Sequence, residues 1–363
     1  MVHSSGSPST LPVFTVTVMD VNDTSTDPAP RATIDLLLDE LRHQLDEPTL
    51  DYLTPPRPLT GGFWAEMFVL ELNEARGELP STLVGRVTPD ADHAAWETAV
   101  QAAVAEQSFP TPQIHLWGDD AGPLGRAWSL MGLASGRPLL DGLSGVGALV
   151  QLPRLTRRLP DQLARISADL HRLDPLPVRS KLQSVTTRSP GIATILDGLE
   201  ARAAASEDSL VVQSVALLRC TVPTGGRDVV CHGDLHPFNV LADGENLTLL
   251  DWTAAQIADR TYDLAFTTLL VSTPPLHAPG PLQPAIGAAA RHLGRRFLAR
   301  YEHHAGVAVD RTLLDWHTTL HATRILCDVT EWTTDGAGGE HQGHPWFSMA
   351  PEMKRILEAE VRP

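Results

Sequence analysis

Two hydrophobic periodicities divide this chain and hardly intermingle. Between about residues 59 and 131 the apolar residues fall in short runs bounded by Gly and Pro. Segments 63–72, 81–87, 114–117 and 127–131 read as strands, with one Ala-rich helix over 93–106 that Pro110 and Pro112 close. Beyond Gly136 the spacing turns helical: 159–173, 192–205 and 209–218 carry apolar stripes, as does most of the chain from Tyr262. Two short apolar runs, 229–231 and 247–250, interrupt this half and read as a small hairpin around a loop. Strands gathered first and helices after predict an α+β fold, with a small antiparallel sheet beside a larger, mainly helical part.

The flanks complete the division. Residues 1–30, rich in Ser, Thr, Pro and Asp, read as a flexible leader. Ile34, Leu37, Leu38, Leu41 and Leu45 then mark one face of a helix, which Pro55, Pro56 and Pro58 stop. Asp174-Pro175 closes the helix over 159–173. The expected organisation is a leader over 1–30, a sheet-bearing lobe over 31–131 and a helical lobe over 132–363. A chain of 363 residues has enough length for two such units, and 42% apolar with 20% charged residues fits a folded protein.

Acidic residues outnumber basic ones by 44 to 28, a net charge of −16. That balance argues against a broad basic surface for nucleic acid or an anionic membrane. Cys220, Cys231 and Cys327 are too few and too scattered for a disulfide framework or a zinc ribbon, and read as small, reduced interior residues. The N-terminal residues show no basic segment followed by an apolar one, and no stretch approaches the roughly 20 apolar residues that span a bilayer. A cytoplasmic protein without a membrane or nucleic-acid partner is expected. Only Lys181 and Lys354 are lysines, so a cation needed in the first half must come from Arg or His.

The densest polar pattern is His232-Gly233-Asp234-Leu235-His236-Pro237-Phe238-Asn239, followed by Asp251-Trp252. An apolar run ends, the chain turns at Gly233, and Asp234 stands at a loop tip. Asn239 lies five residues on, and the run 247–250 returns to deliver Asp251. Such a set suits phosphoryl transfer from ATP. Mg²⁺ prefers a few oxygen ligands and keeps the rest for water and phosphate, which suits Asn239 Oδ1 and the Asp251 carboxylate. Asp234 is the better candidate to accept a hydrogen bond from an attacking hydroxyl. An Asx-turn hairpin with a capping Asp accounts for one acid but not for the joint spacing.

The spacing matches a protein-kinase catalytic loop. The His-Gly-Asp-Leu-His-Pro-Phe-Asn form, with Asp-Trp after it, resembles instead the aminoglycoside phosphotransferase and choline kinase group of small-molecule kinases. The resemblance covers roughly residues 55–335 and is most specific over 231–265. It implies a protein-kinase-like, bilobal fold and an ATP- and Mg²⁺-dependent transfer to a small hydroxylated substrate. It implies that Asp263, in Asp259-Arg260-Thr261-Tyr262-Asp263-Leu264-Ala265, braces the catalytic loop. It places the Gly61-Gly62 turn over the nucleotide phosphates and the backbone of Met131-Gly132-Leu133 against the adenine. Arg86 occupies the place where aminoglycoside kinases usually carry Lys, with Glu97 on the next helix as its partner; Glu106 is the weaker rival. Family members also use acids of C-terminal helices to meet cationic substrates, and Asp328 and Glu331, one turn apart, are candidates.

Other signals carry less. His317 and His321 have a zinc-compatible spacing, but no Glu-x-x-His pattern accompanies them. Gly142, Gly145 and Gly147 do not form a dinucleotide fingerprint. His171 reads as a packing or capping residue, and the 335–345 stretch as a surface loop. A catalytically idle nucleotide- or partner-binding protein on the same fold is the alternative to a kinase; a histidine-based metal hydrolase is a third.

Overall fold

The computed structural model describes residues 31–59, 65–73, 79–140, 145–206, 208–274, 282–334 and 344–362. The 1–30 leader, the Gly61-Gly62 turn and most of the 335–345 loop lie outside the described residues.

The first elements are helix α1 (Arg31–Leu45) and strands β1 (Tyr52–Pro58), β2 (Glu66–Leu72) and β3 (Thr82–Thr88). Helix α2 (Ala91–Glu106) and strands β4 (Ile114–Gly118) and β5 (Ala127–Gly132) follow. The strands form one sheet in the order β1-β2-β3-β5-β4, each neighbouring pair antiparallel. The Pro-rich 55–58 stretch does not merely end a helix; it is an edge strand. An edge tolerates prolines because one side of the strand needs no donor, and β1 pairs with β2 through an irregular register. The α1 stripe Ile34, Leu37, Leu38 and Leu41 packs on Phe68, Leu70, Leu83 and Leu130 of the sheet, so both patterns read from sequence meet in one core.

The remainder is helical apart from short strands: β6 (Arg137–Pro138), α3 (Gly145–Leu170), α4 (Pro175–Val185), α5 (Ile192–Ala205), α6 (Ser209–Cys220), β7 (Asp228–Cys231), β8 (Val240–Asp243), β9 (Asn246–Leu249), β10 (Gln256–Asp259), α7 (Thr261–Ser272), α8 (Leu282–Ala305), α9 (Arg311–Thr334) and α10 (Pro345–Val361). Asp174-Pro175 ends one helix and starts another. Asp174 Oδ1 accepts from the Leu176 N–H and Pro175 takes the first turn of α4, where its missing N–H is no loss.

The expected hairpin between 229–231 and 247–250 is not formed. β7 pairs with β10, while β9 pairs with β8, which in turn pairs with β6. Two four-residue apolar runs carry no register of their own, so sequence proximity misassigned their partners. Cys220 is likewise exposed rather than interior, whereas Cys231 and Cys327 are buried; all three are free thiols. Among the described residues no helix is long and apolar enough to cross a membrane.

Candidate functional site

The loop between β7 and β8 carries His232 to Asn239, and the turn after β9 carries Asp251. Their positions follow from a dense set of hydrogen bonds. Gly233 adopts φ 78°, and a Cβ there would lie 2.1 Å from the Ala254 carbonyl oxygen, so only glycine fits. The exposed backbone N–H groups this turn leaves are taken up by Asp263 at the start of α7. Its Oδ2 accepts from the His232 N–H at 2.8 Å and its Oδ1 from the Gly233 N–H at 2.7 Å. His171 Nε2 also reaches Asp263 Oδ2, at 3.1 Å, while its Nδ1 meets the Tyr301 hydroxyl at 2.8 Å. Asp263 is only 1% exposed. His171, Cys231 and Asp263 group three possible metal-ligand atoms, but each is already engaged, Cys231 Sγ with the carbonyls of Ala258 and Asp259.

Three contacts draw Asp234, Asn239 and Asp251 together. Asn239 Nδ2 donates to the Asp234 carbonyl at 3.0 Å and to Asp234 Oδ2 at 3.3 Å. The Leu250 N–H donates to the Asn239 carbonyl at 2.9 Å, which ties the residue before Asp251 to the same loop. His232 Nε2 meets the Leu250 carbonyl at 2.9 Å. Asp251 itself has φ 64°, unusual outside glycine, and its Oδ1 accepts from Thr253 Oγ1 at 2.7 Å and from the Thr253 N–H at 3.3 Å. No donor among the described residues claims Asn239 Oδ1 or Asp251 Oδ2. Two such oxygens, one amide and one carboxylate, beside the Asp234 carboxylate suit a hard divalent cation.

Charge is distributed unevenly here. Burial alone would raise the Asp234 carboxyl, but the charges of His236, His232 and Arg324 outweigh it and hold the group below its ordinary range. His236 is lifted in turn: burial opposes its charge, but Asp234, with Nε2–Oδ2 at 3.6 Å, and Asp251 favour it.

Arg86 on β3 and Glu97 on α2 meet at 3.0 Å, both largely buried. Glu106 points elsewhere and pairs with Lys181. Burial pushes the Glu97 carboxyl up to about 7, against the pull of Arg86; the charge of Asp251 adds to the rise. The buried Arg86 Nε has no partner among the described residues, so the guanidinium keeps a donor unused there. Helix α2 is fixed on the loop after Asp251 by Trp96 Nε1, which donates to the Ala255 carbonyl at 3.1 Å. Met131 at the end of β5 joins Met67 and Val84 in a small apolar cluster flanked by Leu59, Ile114 and Leu133. The segment beyond is tied to the 232–239 loop and the strand after it, because the Leu139 N–H donates to the carbonyls of Pro237 and Val240.

One sequence reading changes. Asp328 and Glu331 are not free to meet a cation, since Arg202 on α5 binds both, Glu331 through Nε–Oε1 at 2.7 Å and Nη2–Oε2 at 2.6 Å. His317 and His321 are buried in the packing of α9 on α7, bonded to Thr261 Oγ1 and the Tyr262 carbonyl. Arg324, four residues before Asp328, was not singled out from sequence. Nothing in its spacing marks it; only the fold brings it near Asp234.

The family model of the phosphotransferase enzyme family matches residues 57–316. No curated protein matches this chain. Among solved structures it is similar to a thermostable mutant of aminoglycoside phosphotransferase APH(4)-Ia in ternary complex with ADP and hygromycin B. The identity is 17% and the TM-score 0.57, over 90% of this chain and 98% of that one. It is similar also to a choline/ethanolamine kinase family protein from Mesorhizobium loti, at 14% identity and TM-score 0.55, over 91% and 95% of the two chains. Likenesses this remote speak to fold alone, which is the protein-kinase-like, bilobal α+β arrangement. The family match runs from the end of β1 into α9 and takes in the 232–239 loop and its Asp263 brace, and by it the chain belongs to the phosphotransferase enzyme family.

Proposed function

We propose that the protein transfers the γ-phosphoryl group of ATP to a hydroxyl of a small molecule. Residues 31–131 would form the nucleotide-covering lobe and 132–363 the lobe holding the catalytic loop and the acceptor. The observation that carries this reading is the convergence of Asp234, Asn239 and Asp251, with no donor among the described residues on Asn239 Oδ1 or Asp251 Oδ2.

Asn239 and Asp251 would hold Mg²⁺, which when bound neutralises phosphate charge as it builds. Asp234, kept ionised by its neighbours, orients the acceptor hydroxyl and takes its proton. The acceptor oxygen bonds to the γ-phosphorus as the bond to the bridging oxygen breaks, and ADP leaves. Arg86, held by Glu97 and with Nε unused, is suited to bind phosphate oxygens. Met131 and Leu133 would line the adenine, and Gly61 and Gly62 would cover the phosphates. Catalysis on this reading is positioning and charge neutralisation.

The test is ADP release across hydroxylated compounds, with Asp234→Asn as control. The variant should retain the rise in melting midpoint with ATP·Mg²⁺ and lose about 10²–10⁴-fold in turnover. Unchanged turnover would remove Asp234 from its assigned role; no midpoint shift in either protein would remove the kinase reading.

A further inference from the structure

The acceptor side of the catalytic loop is built differently from what a polycationic substrate needs. Along one face of α9 stand Arg324, Asp328 and Glu331, at positions i, i+4 and i+7. Both acids are engaged by Arg202, one guanidinium against two carboxyl groups. Burial keeps Asp328 above the usual carboxylate range even so, which makes it a poor ligand for a further cation.

Arg324 is in the opposite condition. Its Nη1 donates to the Tyr262 hydroxyl at 3.0 Å and to His321 Nδ1 at 3.1 Å. His321 Nε2 in turn donates to the Tyr262 carbonyl at 2.9 Å, so the ring is a neutral tautomer with Nδ1 as acceptor. Burial and the Arg324 charge hold that ring well below its ordinary pKa, and it stays neutral. The guanidinium is therefore fixed by two neutral groups. No carboxylate among the described residues pairs with it, and its Nε and Nη2 carry no partner there. Arg126, Arg202, Arg219 and Arg300, by contrast, all have carboxylate partners.

Its position follows from α7. Tyr262 and Phe266 of that helix pack on His321, with ring centroids 4.5 and 5.0 Å away. The same helix holds the catalytic loop through Asp263 and through Thr267 Oγ1, which donates to the Leu235 carbonyl at 2.8 Å. Arg324 thus shares helix α7 as a support with the loop that carries Asp234.

We infer that Arg324 is a specificity-determining residue that selects a hydroxylated acceptor carrying a carboxylate or phosphate group. The inference rests on the kinase reading above. A hydroxyl presented to Asp234 brings the rest of the acceptor near Arg324. An anionic group can use its two free donors, whereas an ammonium group would meet the Arg324 charge and find Asp328 and Glu331 already engaged by Arg202.

The experiment compares ADP release with D-gluconate, glycerol 3-phosphate, choline and hygromycin B in the wild-type chain, Arg324→Gln and Arg324→Lys. Binding is followed in parallel as the rise in melting midpoint, with ADP·Mg²⁺ present. The expected result is turnover and a midpoint rise with at least one anionic probe and none with the cations. Arg324→Gln should raise KM for that probe 10- to 100-fold with kcat changed less than threefold, and Arg324→Lys should recover part of the loss. A purely structural role would instead lower the melting midpoint without splitting KM from kcat. Turnover of choline or hygromycin B but not of the anions would overturn the inference. So would a chain that binds ATP·Mg²⁺ yet responds to neither anion, and so would an unchanged KM in Arg324→Gln. Failure to bind ATP·Mg²⁺ at all would count against the kinase reading instead.

Discussion

Replacing Asp263 by asparagine removes one charge and one acceptor from a buried site while keeping its shape. The wild-type carboxylate accepts three hydrogen bonds, from the His232 and Gly233 N–H groups and from His171 Nε2. An amide can satisfy only one side. Its better placement turns the oxygen to His232 and His171 and sets the NH₂ against the Gly233 N–H, which is left unpaired. An unsatisfied buried donor costs about 1–3 kcal/mol, and the two surviving bonds each lose about 1 kcal/mol of charge assistance. Relief from burying a charge offsets part of this, leaving a net loss of about 2–4 kcal/mol. Urea unfolding at pH 7.5 should show a lower midpoint with an unchanged slope, and the melting midpoint should respond less to ATP·Mg²⁺. A loss below about 0.5 kcal/mol with nucleotide binding intact would refute the argument, because Asp263 would then not be what holds the loop.

Three further outcomes are expected. Gly233→Ala should cost on the order of 3 kcal/mol or more and abolish ADP release, because its Cβ would meet the Ala254 carbonyl at 2.1 Å in a left-handed backbone; a well-folded, active variant contradicts this. His317 is buried, and burial lowers its pKa to about 4. Below pH 6.5 the unfolded chain takes up a proton that the native chain refuses, so stability is lost as pH falls from 6.5 toward 4, by up to about 3 kcal/mol. His317→Gln should flatten that slope by one proton in urea titrations at several pH values. Arg86→Met leaves Glu97 buried without its cation and raises its pKa further. A carboxyl so raised destabilises more as pH increases, so the variant's deficit against wild type should grow between pH 6 and 9. A deficit independent of pH would mean that Glu97 is not desolvated.

Much of the fold and of the candidate site could be read from the chain because the signals were local. Asp234, Asn239 and the turn at Gly233 lie within one loop, so their spacing alone sets their proximity. Arg86 and Glu97 lie on a strand and the helix directly after it, and they meet at 3.0 Å. The helix over 192–205 was bounded by its own apolar stripe, and α5 has those limits. What was not legible depended on distant partners. β7 and β9 are each four residues long, too short to encode which strand they join. Asp328 and Glu331 look like free acids until α5 brings Arg202 to them from more than 120 positions away. The prolines of β1 signal a helix stop equally well as an edge strand, and only the vacant neighbouring position decides.

The crossed pairing of the short strands has a consequence for how the protein is made. The segment bearing Asp234 is complete once residue 239 has been synthesised, but β7 then has no partner until β10 follows, and Asp263 comes later still. A nascent chain halted between β9 and β10 would therefore hold every atom of the acid–amide loop, but neither the strand that pairs with β7 nor the carboxylate that binds the His232 and Gly233 N–H groups. The turn at Gly233 is therefore a late acquisition of biosynthesis, fixed only after translation has passed the start of α7.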